Sequence, residues 1–300
     1  MRQTIDGVIN VNKPQGKTSF QVVSLVRKLS GAKKAGHSGT LDPDATGVLL
    51  ILLGRATKLA NFLMDSPKTY QVKIAFGCAT TTYDASGSIT HEVNTDSLTL
   101  DHIKENLKKF QGFIEQTPPM HSAIKHRGKP LYRLARAGVE IPRKPRKVQI
   151  FRIEVLDWQN PALTLEIECS KGTYIRSIAH DLGEATGYKA YQKELTRTEN
   201  GPFHIGDAVS IPTLEEAFRK GEWGNIVNPL DAAVSHLPSM VISSSTEEEL
   251  TYGHPFPSAD EGTPYPDNQY CRVYSQDNKF LGVIRLNAEK GLWYPERIFG

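Results

Sequence analysis

Asp42 is the residue of this chain best placed to do chemistry. It lies in Gly36-His37-Ser38-Gly39-Thr40-Leu41-Asp42-Pro43-Asp44-Ala45-Thr46-Gly47-Val48-Leu49, just ahead of the apolar stretch 48–53. Gly36 and Gly39 bracket His37, Asp42-Pro43 adds a second turn signal, and Gly47 precedes the apolar residues. The segment therefore reads as a loop that presents polar side chains from a buried support. Loops of this kind commonly carry function. An aspartate with an ordinary pKa of about 3.9 is ionised near neutrality, and a carboxylate can act as a nucleophile that divides one difficult step into two easier ones. A lone Asp-Pro pair more often caps a helix or closes a turn. The full string weighs against that blander reading.

The string resembles the active-site motif of the TruB-type tRNA pseudouridine synthases, Gly-His-x-Gly-x-Leu-Asp-Pro-x-Ala-x-Gly-x-Leu, with every fixed position filled. The resemblance puts the nucleophile on Asp42 and a residue that helps hold the target nucleotide on His37. Two more blocks follow in the family order. Lys68-Thr69-Tyr70-Gln71-Val72 matches a Lys-x-Tyr segment, and Gly172-Thr173-Tyr174-Ile175-Arg176 opens a Gly-Thr-Tyr-Ile-Arg block that runs on to Gly183. Leu195 matches a pocket-wall leucine. The likeness extends from about Gly7 to Gly201.

The implied chemistry breaks the bond between ribose C1′ and N1 of uracil, turns the base, and rejoins it through C5. It involves no redox change, hydrolysis or phosphoryl transfer, so no metal or nucleotide cofactor is expected. Arg176 would pair with Asp42 as a fixed cation and keep it charged in a pocket that excludes water. By the resemblance Tyr70 is catalytic: it would stack on the base and stand near the sugar, where the family needs a proton acceptor, and Tyr174 would complete the pocket wall. Attack on the base and attack on the sugar both stay open. A uridine in a folded RNA loop must first leave its stack, at a cost of a few kcal/mol that pocket contacts offset.

Each assignment has an ordinary competitor in the elements around it. Tyr70, Val72, Ile74 and Phe76 alternate with Gln71, Lys73 and Ala75, the pattern of a half-buried strand in which Tyr70 is plain core. Arg176 follows the alternating Leu163, Leu165, Ile167 and Cys169 and opens a helical run, where a surface ion pair is the default for a single arginine. His37 by itself reads as a solvated loop histidine. Helical spacing over 20–29, with Thr18 or Ser19 as cap and Gly31 as stop, predicts a scaffold helix. Lys13-Pro14-Gln15-Gly16-Lys17 before it also recurs in the family, and folding of the first strand explains it equally well.

Rival motifs fail on particular residues. Gly31-Ala32-Lys33-Lys34-Ala35-Gly36-His37-Ser38 is no phosphate-binding P-loop, because His37 stands where the lysine must be and a helical pattern precedes it. Gly16-Lys17-Thr18 has Val11 in place of the first glycine. A calcium loop beginning at Asp42 would need a glutamate where Leu53 stands. Cys78, Cys169 and Cys271 lie too far apart for a zinc or redox pair. No metal site is readable.

The net charge of +3 says little, but its distribution says more. Between His121 and Arg152, Lys125, Arg127, Lys129, Arg133, Arg136, Arg143, Lys144, Arg146, Lys147 and Arg152 face one acid, Glu140. Pro130, Pro142, Pro145, Gly128 and Gly138 mark this segment as an excursion with a short helix near 131–137. Such a segment can neutralise phosphates, with salt-dependent affinity and little sequence information. By resemblance it grips the T-arm of tRNA and moves on binding. A solvated charged loop is the plainer alternative.

Three hundred residues predict two domains. From residue 237 onward nine acids face five bases. Two apolar segments, 270–274 and 280–286, flank Gln276-Asp277-Asn278-Lys279 as a hairpin signal. With Leu250-Thr251-Tyr252-Gly253 they resemble a small PUA-like RNA-binding module, interrupted by an acidic, proline-rich stretch over 255–267. The expected division is a catalytic domain over 1–235, holding the 121–152 insertion, and a PUA-like domain over 236–300. No signal peptide or membrane span is readable. A cytoplasmic monomer with no obligate protein partner is expected. The resemblance implies an α+β fold with a mixed, largely antiparallel sheet, flanking helices and a small C-terminal β domain. The activity it implies is isomerisation of uridine 55 in the T-loop of tRNA. The alternative from another class is a non-catalytic RNA-binding or tRNA-folding protein.

Overall fold

The computed structural model describes residues 5–122, 124–126, 128–258 and 266–299. Seven strands form the main path of one large sheet: β1 (Gly7–Lys13), β2 (Thr46–Leu53), β3 (Lys68–Phe76), β4 (Gly112–Gln116), β5 (Arg146–Gln159), β6 (Ala162–Cys169) and β7 (Ala190–Asn200). They lie in the order β1-β2-β7-β3-β6-β5-β4. Neighbours are antiparallel except β2 and β7, which run parallel through Thr46 opposite Thr196 and Gly47 opposite Arg197. The short strands Ala35–His37 and Phe203–His204 add to β2 and β7. The expected mixed, largely antiparallel sheet is thus present.

Strand β2 is buried on both faces, which explains its unbroken apolar run. Leu49, Ile51 and Leu53 point into one core, with Val22, Val23 and Val26 of helix α1 (Ser19–Ser30) and Ile178 and Leu182 of helix α2 (Ile175–Thr186). Val48, Leu50 and Leu52 point into a second core with Val8, Val283 and Phe299. The sequence-predicted helix appears as α1. Thr18 caps it by accepting from the Gln21 amide, and Gly31 ends it at φ +65°.

Gly47 makes the parallel junction possible. Its φ is +95°, and a Cβ there would stand 2.2 Å from the Arg197 carbonyl oxygen. Gly47→Ala is expected to cost at least about 2 kcal/mol, because the left-handed backbone and the backbone collision both oppose it. Circular dichroism would read this as a thermal midpoint lower by several degrees.

The C-terminal sheet is built from β8 (Ser239–Val241), β9 (Phe256–Pro257), β10 (Tyr270–Tyr274), β11 (Phe280–Asn287) and β12 (Leu292–Ile298), in the order β8-β10-β11-β12-β9. The hairpin signal is realised between β10 and β11, with Asn278 at φ +59° in its turn. Leu250 and Thr251 end a helix (Ser244–Thr251) whose buried Leu250 packs under the sheet. Part of the acidic stretch, 259–265, lies outside the described residues. Because Val283 and Phe299 share a core with β1 and β2, the small β domain is packed firmly onto the larger sheet. Among the described residues, no helix is long and apolar enough to cross a membrane.

Candidate active site

The loop carrying Asp42 is held from below by the turn that follows β1. Lys13 is fully buried, and its Nζ donates to the carbonyls of Pro14, Lys17 and Pro43 at 3.0, 2.7 and 2.9 Å. The Gly16 amide donates to the same Pro43 carbonyl at 2.9 Å. Ser19 Oγ accepts from the Leu41 amide at 2.9 Å and donates to the Leu41 carbonyl at 3.1 Å. Residues 13–19 therefore clamp both neighbours of Asp42. Burial brings the Lys13 ammonium down to about 8, opposed by the charges of Asp44 and Asp42. Read from sequence as part of the first strand, Lys13 is also the strut of this loop.

Arg176 reaches the same place from the first turn of α2. Its Nη2 lies 3.3 Å from Asp42 Oδ2, so the two side chains meet as an ion pair. Two further partners were not foreseen. Arg176 Nη1 pairs with Asp84 Oδ2 at 3.0 Å, and Nη2 donates to the His121 carbonyl at 2.7 Å. The arginine is almost wholly buried, whereas the Asp42 side chain keeps 40% exposure. Asp84 is fixed by Thr82 Oγ1 at 2.7 Å and by the Ser86 amide and hydroxyl at 3.0 and 2.6 Å. An Asp followed two residues later by Ser is an Asx-turn signal that could have marked it.

The two carboxylates are pushed in opposite directions. Burial raises Asp84, but hydrogen bonds from Ser86 and Thr82 and the guanidinium outweigh it, so its pKa lies below the ordinary value. Burial raises Asp42 as well, and there it wins. Arg176 and Lys13 pull down, Asp84 and Asp44 push up, and the pKa stays above 3.8. The guanidinium, shared with Asp84 and a carbonyl, only partly offsets the desolvation of Asp42. A reaction that needs ionised Asp42 should then lose rate on acidification at a higher pH than a free aspartate would dictate. Asp84→Asn removes a negative neighbour and is expected to move that acid limb to lower pH, as a pH profile of kcat/KM would record.

Tyr70 sits on β3 directly across from Arg197 of β7. Arg197 is buried, donating from Nε to the Val48 carbonyl at 2.7 Å and from Nη2 to the Gly39 carbonyl at 3.1 Å. Its guanidinium also lies against the Tyr70 hydroxyl. Burial raises the phenol, Arg197 lowers it, and the net shift is upward, so Tyr70 is neutral at pH 7. A neutral phenol suits stacking and hydrogen bonding. Asp42 is near enough for its charge to act on Tyr70. The sequence offered no sign that Arg197 would be internal.

Tyr174 stands at the N-cap of α2, its amide and carbonyl both bonded by the Gln116 side chain at 2.7 and 3.0 Å. Its ring centroid is 5.8 Å from the Arg176 guanidinium carbon. Leu195 is buried on β7 opposite Val72. His37 ends the short strand beside β2, opposite Ile51, and burial followed by the charge of Arg197 lowers its pKa. It borders a hollow of about 360 Å³ lined also by Arg27, Lys33 and Lys34. Among the described residues, no group of three or more His, Cys, Asp or Glu side chains could hold a metal ion.

The basic excursion forms a two-residue ladder, Lys125–His126 against Lys129–Pro130, and a helix, Leu131–Arg136. Arg127 lies outside the described residues, and for Lys125 and Arg136 only the backbone is described. Lys129, Arg133, Lys144, Arg146 and Lys147 are exposed, with the Lys147 ammonium 4.3 Å from the centroid of the Phe113 ring. Arg143 differs from the simple expectation. It is mostly covered, donating to the Pro118 carbonyl at 3.2 Å and pairing with Glu140 at 3.3 Å, so it braces the excursion. Arg152 is likewise engaged, by Glu154 at 2.8 Å and by Glu166 at 2.5 Å. Through the His121 carbonyl, the root of the excursion touches Arg176.

Comparison with known proteins places the chain in a family. Residues 27–175 match the model of the TruB family pseudouridylate synthase N-terminal domain, and residues 176–235 match that of the tRNA pseudouridylate synthase B C-terminal domain. A Dehalococcoides mccartyi protein named tRNA pseudouridine synthase B is 44% identical over 98% of this chain and 97% of its own length. A Pseudomonas aeruginosa protein of the same name is 38% identical over 99% and 97%. Among solved structures, a chain of a Cbf5-Nop10-Gar1 complex superposes with a TM-score of 0.78 at 27% identity, covering 98% of this chain and 85% of that one. The chain belongs to the TruB family of pseudouridine synthases.

Proposed function

We infer that this protein isomerises uridine to pseudouridine at position 55 in the T-loop of tRNA, with Asp42 as the nucleophile. The observation that carries the reading is a partly exposed carboxylate on a loop clamped from both sides, with a buried guanidinium 3.3 Å away. The target uridine leaves its stack and enters the recess beside Tyr70, with Leu195 and Tyr174 as walls and His37 holding the nucleotide from the loop side. Asp42 forms a bond to the substrate as the bond from C1′ to N1 breaks. The freed uracil turns within the closed space, C5 joins C1′ and then gives up its proton while N1 takes one up, and the carboxylate is released. Arg176 stabilises the carboxylate at the beginning and end of this cycle. Nothing in these steps consumes a metal or a nucleotide.

The exposed cations of the excursion, Lys129, Arg133, Lys144, Arg146 and Lys147, are proposed to hold the T-arm through its phosphates, with Lys125, Arg127 and Arg136 in the same segment. We assign residues 1–235 to catalysis and 236–300 to a PUA-like module, in a monomeric cytoplasmic protein. The family match and the relatives' names support the enzyme reading, and no observation favours a non-catalytic RNA-folding protein. Incubating the purified protein with unmodified tRNA, without metal or nucleotide, and mapping pseudouridine tests it. Product confined to the T-loop is expected. No product, or product elsewhere only, would remove the assignment.

A further inference from the structure

The clamp beneath Asp42 carries a side chain that folding does not use. Helix α1 buries Ser19, Val22, Val23 and Val26, which turns Phe20 to the opposite face, where it is 74% exposed. Such exposure is ordinary on a mobile surface, but the backbone of Phe20 is rigid. Thr18 and Gln21 form a reciprocal capping box around it, and Ser19 is bonded to both the amide and the carbonyl of Leu41. Standard chain geometry through that Ser19–Leu41 contact keeps the Cα atoms of Phe20 and Asp42 within about 15 Å. Gln15, Gly16, Lys17 and Gln21, its neighbours in sequence, are exposed as well. Lys17 follows the turn that Lys13 and Gly16 tie to Pro43. An exposed aromatic ring and an exposed cation three residues apart are thus carried on the segment that clamps the Asp42 loop.

We propose that Phe20 and Lys17 form a second nucleotide subsite, in which Phe20 stacks on an unstacked base next to the target and Lys17 meets an adjacent phosphate. The inference rests on the reading of the recess as a uridine site. When the target swings out, its neighbours lose a stacking face, and an aromatic ring in water is a sequence-tolerant substitute for any base. A lone ring with a polar surround is too small a patch for stable protein docking, and the cation beside it complements a phosphate backbone.

The test uses a T-arm RNA hairpin with 2-aminopurine at a position flanking the target, bound to Asp42→Asn protein so that turnover does not intervene. Fluorescence quenching on binding is expected, and it should be lost when Phe20→Ala is added. In the otherwise unaltered enzyme, Phe20→Ala is expected to raise KM about 5- to 100-fold with a much smaller change in kcat. Phe20→Trp should restore KM. Lys17→Ala should weaken binding and reduce the slope of log affinity against log salt by about one.

Unchanged quenching and KM in Phe20→Ala would overturn the subsite, as would a defect that Phe20→Trp fails to rescue. A change in sedimentation of the RNA-free protein on Phe20→Ala would assign the ring to a protein contact instead. If the Asp42→Asn protein itself does not bind the hairpin, the uridine-site reading falls and this subsite falls with it. If it binds and only the Phe20 variants behave like their parents, the subsite alone is wrong.

Discussion

Asp42→Asn is expected to lower pseudouridine formation by at least about 10³-fold while the protein stays folded and holds tRNA with nearly unchanged affinity. Asparagine keeps the size of the side chain and an oxygen that can accept from Arg176 Nη2, but it is no nucleophile. Stability should move the other way from activity. The folded-state pKa of Asp42 lies above its ordinary value, chiefly through burial. Between the unfolded and folded values the native state binds more protons, so stability falls as pH rises through that window, and the penalty persists at neutral pH. Removing the charge removes the penalty. At pH 7 the variant should melt no lower than the parent, whereas near pH 3, where both states are protonated, this gain should disappear. Single-turnover product formation, filter binding and thermal melts at the two pH values check the three parts. A variant that makes product at the parent's rate would end the nucleophile assignment, and one that is inactive only because it unfolds would leave it without support.

Legibility in the sequence depended on whether a residue acts through local pattern or through distant contact. Strand β3 was readable because Val72, Ile74 and Phe76 alternate into one core, and α1 because Thr18 and Gly31 bound its apolar spacing. The roles proposed for Asp42, Tyr70 and Arg176 were readable through motif resemblance alone, since no periodicity distinguishes an arginine paired inside the fold from a surface one. Asp84, Lys13 and Arg197 were not. Each looks like an ordinary polar residue until the chain brings it home, Asp84 to an arginine 92 positions away and Arg197 to carbonyls 149 and 158 positions away. Long-range polar contacts leave no local trace, because the partner's position is set by sheet order. Leu250 and Thr251 end a helix that is likewise selected by packing under the C-terminal sheet. Arg143 shows the converse. Its composition marked a cationic surface, while its geometry spends the charge on Glu140 and the Pro118 carbonyl.

Arg176→Met should be the most damaging change outside Asp42, with a loss of about 10²- to 10³-fold at pH 7. The methionine leaves Asp42 and Asp84 without the guanidinium that both now pair with. Like charges so placed resist joint ionisation, so the Asp42 pKa climbs further above its already raised value. The fraction of ionised nucleophile at pH 7 therefore drops, and part of the lost rate should return as pH is raised towards 9. That partial rescue distinguishes an electrostatic role from simple misfolding, which alkali does not repair. Stability should fall as well, because Asp84 is mostly covered and loses its guanidinium partner, and the His121 carbonyl loses a 2.7 Å donor. Arg176→Lys should recover only part of the activity. A single ammonium cannot reach two carboxylates and a carbonyl in the geometry that a planar guanidinium spans. The measurements are pH profiles of kcat/KM from pH 5 to 9 and thermal melts for both variants. Parental activity in Arg176→Met, or a profile of unchanged shape, would show that the guanidinium does not govern the charge of Asp42.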